Sequence, residues 1–312
     1  MRGGELSNCS CRSGQKGFCL RCKGHEGTSV QRTLQEVQKG DQEGERNEES
    51  RLGLNSELPT VVITTYNEGK NLQRLVDALL SQSVNCNIVV VDSESKDNTL
   101  EILKKCYSSR LIYKVTKCTR GQGRNIGVQM TDSNFILFTD GDAIPEKDWV
   151  ECMVKCLQNS DLVAGETIQE GPMRYASHDR VKLYYHGFEI TAPAMNLAVR
   201  KNAFLKVKGF DSRFITAEDI DLNLKIMSEG FKGITCDGCR VIHRTRDRFL
   251  PFLKQAFWNG YGRGQLRNKN RSIWNKVRKD KIKLNEINFY WLFRNATAVV
   301  GYVYFLIFGK RF

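Results

Sequence analysis

The sequence is short of acid. Asp and Glu number 35 against 48 Lys and Arg, leaving a formal net charge of +13 on 312 residues. Such a deficit points to an anionic partner: nucleotide phosphates, nucleic acid or an acidic membrane surface. The N-terminus is polar and Gly-rich and does not read as a secretory signal. The glycine-rich stretch Arg120–Gly127 lacks the Gly-Lys-Ser/Thr ending of a P-loop, and no strand leads straight into it as a dinucleotide fingerprint requires. No recognised nucleic-acid motif accompanies the positive charge, so nucleic acid is not the expected partner. A disulfide framework is not expected either. The 11 cysteines are odd in number and scattered, and Cys86, Cys106, Cys118, Cys152 and Cys156 read as small reduced hydrophobes of a cytosolic protein.

What is present is ordinary globular composition, 40% hydrophobic, in a chain long enough for one large domain or two small ones. Residues 1–25 hold Cys9-x-Cys11 and Cys19-x-x-Cys22, with His25 close behind. Four thiolates so close can bind Zn²⁺ tetrahedrally, although the spacing is shorter than most zinc-ribbon patterns and a plain Cys-containing tail is the alternative. Residues 26–57 are polar, mostly acidic and nearly free of aromatics, so they read as a linker.

From Pro59 the pattern changes. Thr60–Tyr66 is a β-branched run ending in Asn67-Glu68-Gly69, followed by helical periodicity from Asn71 to Ser81. A second apolar run, Asn87–Val91, ends in Asp92 and leads into another amphipathic helix. Strand, helix, strand, helix within some fifty residues predicts βαβ units and a mostly parallel sheet. Thr64, Tyr66, Glu68 and Asp92 then sit at the C-terminal sheet edge, where a ring can stack on a base and a carboxylate can accept from base N–H or ribose hydroxyls. In Arg120–Gly127 the glycines would let backbone approach phosphate and Arg124 would neutralise it at a helix start. Asn134–Phe138 predicts a further buried strand, ending in Asp140-Gly141-Asp142. Two carboxylates so close repel unless a cation neutralises them, and hard oxygen ligands suit Mg²⁺ or Mn²⁺. Asp-Gly is also ordinary turn chemistry, so the pair alone is a weak signal.

Four motifs in this order, Tyr66-Asn67-Glu68, Asp92-Ser93, Gly123-Arg124-Asn125-x-Gly127 before a third helix, and Asp140-x-Asp142, resemble the family 2 glycosyltransferases. The resemblance covers about residues 58–245. It implies an inverting enzyme of the GT-A fold, a Rossmann-like α/β domain, that uses a nucleotide-diphosphate sugar and a divalent cation. Residues 58–142 would form the nucleotide-binding half and 143–245 the acceptor half. By the same resemblance Asp140 and Asp142 hold nucleotide and metal, and Arg124 lies on the diphosphate side. Glu218-Asp219 supplies the catalytic base, Asp219, beside the substrate, and His243 lies near metal or diphosphate. Helix capping is the alternative for Glu218, Asp219 and Asp221, since acids favour a first turn anyway. Cys236-Asp237-Gly238-Cys239 reads as a reduced turn with no second pair nearby.

Residues 246–288 are basic and carry Phe252, Phe257, Trp258 and Trp274, which predicts an interfacial amphipathic segment able to lie on an acidic membrane or close over the donor diphosphate. Residues 289–312 hold about twenty mostly apolar residues, marginal for a span, with Arg294 near one end able to snorkel. The expected acceptor is a lipid-linked glycan or polyprenyl phosphate at the cytoplasmic face of a membrane. Nucleotidyltransfer and a zinc-bearing nucleic-acid module are the competing readings. The first would want a Gly-rich, Lys- or Arg-bearing loop directly after the first strand.

Overall fold

The β-branched run Thr60–Thr65 forms β1, the centre of the parallel half of an eight-stranded sheet ordered β3-β2-β1-β4-β7-β6-β8-β5. The computed structural model describes residues 54–171, 190–244, 249–271 and 289–310, together with 181, 183 and 185. The cysteines Cys9, Cys11, Cys19 and Cys22, most of the linker and Trp274 lie outside the described residues. β2 (Asn87–Asp92), β3 (Leu111–Val115) and β4 (Phe135–Asp140) extend the parallel half. Register aligns Thr65 with Asp92 and Thr64 with Asp140, which brings their strand ends to one edge. Alternate residues feed opposite cores, as a period of two requires. Val61, Ile63, Ile88, Val90 and Leu137 face α1 (Leu72–Leu80), α2 (Thr99–Cys106) and α4 (Trp149–Leu157). Val62, Val89, Val91 and Phe138 face α3 (Arg120–Gln129), α5 (Lys201–Lys206) and α6 (Glu218–Ser228).

In α3 the structure departs from expectation. Arg120 to Gly127 is helix rather than the loop before one, opened by a capping box between Thr119 and Gln122. Its glycines serve packing rather than phosphate. A Cβ at Gly123 would lie 2.7 Å from Thr64 Cγ2, and one at Gly127 would lie 2.3 Å from Val62 Cγ1. The helix therefore lies on β1 closer than any side chain would permit.

The acceptor half is mixed. β7 (Leu197–Arg200) runs antiparallel to β4 and to β6 (Leu162–Glu170), which pairs in parallel with the long β8 (Gly233–Arg244). The short β5 (Ala143–Pro145) closes the edge against β8, placing Ala143 opposite His243. β8 bulges at its C-x-x-C, since Gly165 faces Cys236 while Glu166 faces Arg240. The bulge meets α4, where Cys239 lies against Cys152 and Cys236 against Cys156. Cys152 and Cys156 are thus not separate small hydrophobes, and the C-x-x-C does have a second pair nearby. Among the described residues Cys86, Cys106 and Cys118 are free.

The basic segment forms α7 (Phe249–Lys269) and the apolar terminus α8 (Phe289–Phe308). Glycines bring them into backbone contact. Gly260 faces the Ala298 carbonyl, Gly301 faces the Phe257 carbonyl, and Gly264 abuts Phe305. Lys269 fastens α7 to the sheet domain through Asp211 at 2.7 Å and the fully buried Asp221 at 2.8 Å. Asp221 thus has a structural partner.

Candidate active site

The strand ends of β1, β2 and β4 supply the first residues of the site. Tyr66 follows β1 and is 59% exposed, a free ring face at the rim. Asp92 is fully buried beneath it and accepts from Thr65 Oγ1 at 2.9 Å and from the Ser95 backbone N–H at 2.8 Å. A groove of about 450 Å³ beside Tyr66 is walled by Ser93, Lys96 and Lys117. Asp92 itself is buried and does not line that groove. Asn67 and Glu94 flank it with φ near +56°, a conformation that Asn tolerates better than Glu, and Asn67 Oδ1 accepts from the Lys96 N–H at 2.7 Å.

Next to the groove three carboxylates converge. Asp140 and Asp142 leave β4 around Gly141, whose missing Cβ would fall 2.9 Å from Glu68 Cγ. Burial pushes the Glu68 carboxyl up; the Asn71 amide at 3.0 Å opposes this, and Asp142 and Asp140 add to it. His243 on β8 brings Nε2 to 3.5 Å from Asp142 Oδ2, its Nδ1 lying 3.4 Å from Gln169 Oε1. Carboxyl oxygens with an imidazole beside Asp142 are donors of the kind a hard divalent cation takes, although among the described residues they are not gathered within 4.8 Å of one another.

Arg124 stands behind this cluster. Its side chain is 2% exposed and forks between Asp140 Oδ1 at 2.7 Å and Glu218 Oε1 at 2.8 Å, over the Phe210 ring. Burial disfavours its charge, but Asp140 and Glu218 outweigh that and push its pKa up. The guanidinium expected on the diphosphate side is therefore committed to two carboxylates. Arg120, one turn earlier in α3, lines the same cavity as Arg124.

Asp219 is the second residue of α6, which opens at Glu218 after Ala217 at φ +64°. The strained turn aims the Asp219 carboxyl at the 3-10 turn Ala194–Asn196, where Oδ2 accepts from the Ala194 N–H at 3.3 Å. Oδ1 accepts from Ile220 N–H at 2.8 Å. Desolvation pushes the Asp219 carboxyl up to about 6, Glu218 adds to this and Arg124 opposes it. A carboxylate poised there is matched to general-base work near neutrality.

Asp140, Asp142, Asp219 and His243 share one cavity of about 840 Å³ with Arg120 and Arg124. Its far wall comes from the C-terminal helices. Trp258 and Arg263 of α7 line it, from the segment read as able to close over the donor, and so do Trp291 and Arg294 of α8, which sequence reasoning missed. Arg294, near one end of the apolar helix, lines this cavity.

Residues 60–214, about half of the chain, match the model of glycosyl transferase family 2. The glycosyltransferase AglE of Haloferax volcanii is 27% identical over 231 residues, 68% of this chain and 76% of that protein. A dolichyl N-acetyl-alpha-D-glucosaminyl phosphate glucuronosyltransferase of Methanococcus voltae is 22% identical over 66% of this chain and 73% of its own. A Pyrobaculum calidifontis mannosyltransferase, solved with GDP-Man and Mn²⁺, shares the fold at TM-score 0.57 and 17% identity, covering 82% of this chain and 77% of that one.

Proposed function

Because the chain belongs to the family 2 glycosyltransferases, we propose that it transfers a sugar with inversion from a UDP- or GDP-sugar to a lipid-linked glycan or polyprenyl phosphate. The observation that carries this is the single cavity joining the Asp140-Gly141-Asp142 turn to Asp219. Tyr66 would stack on the base above the Asp92 floor, with Thr64 and Glu68 on the side toward the diphosphate. Asp140 and Asp142 would hold Mg²⁺ or Mn²⁺, with His243 steadying Asp142. When bound, that cation stabilises charge on the leaving diphosphate. Arg124 neutralises Asp140 and Glu218 and sets their positions, while Arg120 offers positive charge to the phosphates. Asp219 takes the proton of an attacking hydroxyl as the new glycosidic bond forms on the opposite face of the sugar. An acceptor phosphate is already ionised and would leave Asp219 to orient rather than deprotonate.

The acceptor class is supported by α8, a 20-residue helix long and apolar enough to be a membrane anchor. It is also supported by the lipid-linked substrate in the name of the Methanococcus relative. The basic α7 beside it supports a location on the anionic cytoplasmic face. The test is nucleoside-diphosphate release from a panel of UDP- and GDP-sugars, with polyprenyl phosphate in vesicles as acceptor. One donor giving acceptor-dependent release, lost in Asp219→Asn or Asp142→Ala, supports the proposal. Folded enzyme inert with every donor and acceptor overturns it.

A further inference from the structure

Cys152 and Cys156 are one helical turn apart on α4, so their side chains leave the same face. That face meets the β8 bulge carrying Cys236 and Cys239. All four sulfurs lie within 4.8 Å of one another. The cross-pair distance Cys152 Sγ to Cys236 Sγ is 3.8 Å. Four thiolates about 2.3 Å from a tetrahedral zinc stand about 3.8 Å apart along each edge.

Two disulfides are the competing account. The Cα atoms of Cys152 and Cys239 are 5.4 Å apart, inside the usual range, but those of Cys156 and Cys236 are 7.0 Å apart. The second distance exceeds the ~4.4–6.8 Å over which disulfides ordinarily form. A metal needs no such approach of the backbones. The bulge has a matching shape: Asp237-Gly238 turns the strand so that both of its thiols reach α4, and Gly238 lies against Cys152 Sγ.

We propose that Cys152, Cys156, Cys236 and Cys239 form a structural Zn²⁺ site, a C-x3-C helix pair closed by a C-x2-C bulge. Binding displaces the thiol protons to solvent and leaves four thiolates on one metal, with no oxidation. All four positions are filled by sulfur, so the site is closed and holds structure rather than chemistry. Its position explains what it holds. The Cys239 carbonyl accepts from Asn196 Nδ2 at 3.0 Å, and Asn196 Oδ1 accepts from Trp149 Nε1 at 2.8 Å. Asn196 ends the 3-10 turn that carries Ala194 against Asp219, and His243 lies four residues beyond Cys239 on β8. The metal would therefore fasten α4 to β8 on the acceptor side of the cavity.

The experiment measures zinc in the full chain bearing Cys9→Ser, Cys11→Ser, Cys19→Ser and Cys22→Ser, so that N-terminal thiols contribute nothing. One zinc per chain, absent after adding Cys236→Ser and Cys239→Ser, is the expected result. X-ray absorption on the four-serine chain alone needs no further variant, and should show four sulfur ligands at about 2.3 Å. Alkylation under denaturing, non-reducing conditions gives the contrary outcomes. Chain that lacks zinc and shows these four cysteines blocked as disulfides overturns the proposal. So does chain with the four thiols alkylatable that takes up no added Zn²⁺, or zinc with mixed nitrogen or oxygen ligands.

Discussion

Arg124 carries two carboxylates at once, and both of its bonds are buried. Removing it leaves Asp140 and Glu218 without their shared cation, which typically costs about 3–5 kcal/mol for a broken buried pair. Arg124→Met should therefore lower urea-melt stability by that order, and adding Glu218→Gln should recover part of it. Asp219 makes the complementary prediction about pH. Its pKa of about 6 lies above its ordinary 3.8. The folded state therefore binds this proton more tightly than the unfolded chain. That stabilisation is complete below the ordinary value and is lost as pH rises through about 6. Asp219→Asn should thus be more stable than wild type at pH 8 and show no advantage at pH 4. With a hydroxyl acceptor, wild-type kcat/KM should rise through pH 6 to a plateau. The variant should lose that limb and fall about 10²–10⁴-fold, the usual worth of a positioned base. The placement of Asp140, Asp142 and Asp219 at strand and helix ends was legible in the sequence. Arg124 was not. A guanidinium among glycines looks like a phosphate ligand until its carboxylates, 16 and 94 residues away, are folded against it.

Helix α3 shows the same limit at the scale of an element. Glycine beside arginine reads as a loop for phosphate, yet Gly123 and Gly127 are contact points with β1. Gly127→Ala should lower stability by about 1–3 kcal/mol through overpacking against Val62, and Val62→Ala should relieve part of that in the double variant. Thermal melts of the four proteins would show whether the two changes couple. β1, β2 and β4 were legible because continuous β-branched runs have few alternatives as buried strands. The acceptor half was less so: its antiparallel pairings and the β8 bulge depend on long-range register. The meeting of α4 with the C-x-x-C spans some 80 residues, and no local spacing announces it. The tight α7–α8 contact through Gly260 and Gly301 was equally hidden, since the two glycines lie 41 residues apart and no local pattern pairs them.

The whole molecule carries a net charge of +13 and, among the described residues, one helix long and apolar enough to cross a membrane. Outward-facing α8 residues include Val299, Val303 and Ile307, at 61%, 44% and 65% exposure and four residues apart. Replacing all three by serine leaves the cavity-lining side of α8 untouched and removes apolar area from one stripe. The variant should keep the wild-type melt and lose flotation with phosphatidylglycerol vesicles. Retained flotation at low and high salt would show that α8 does not contact lipid.

The central claim is that the Asp140-Gly141-Asp142 turn holds a donor through a divalent cation. Its most direct test is titration calorimetry of UDP- and GDP-sugars into the wild-type chain and Asp142→Ala, each with and without Mn²⁺. Binding of one nucleotide class that requires Mn²⁺ and disappears in a folded Asp142→Ala chain is the predicted result. Equal donor affinity with and without metal, or in both proteins, would contradict the account.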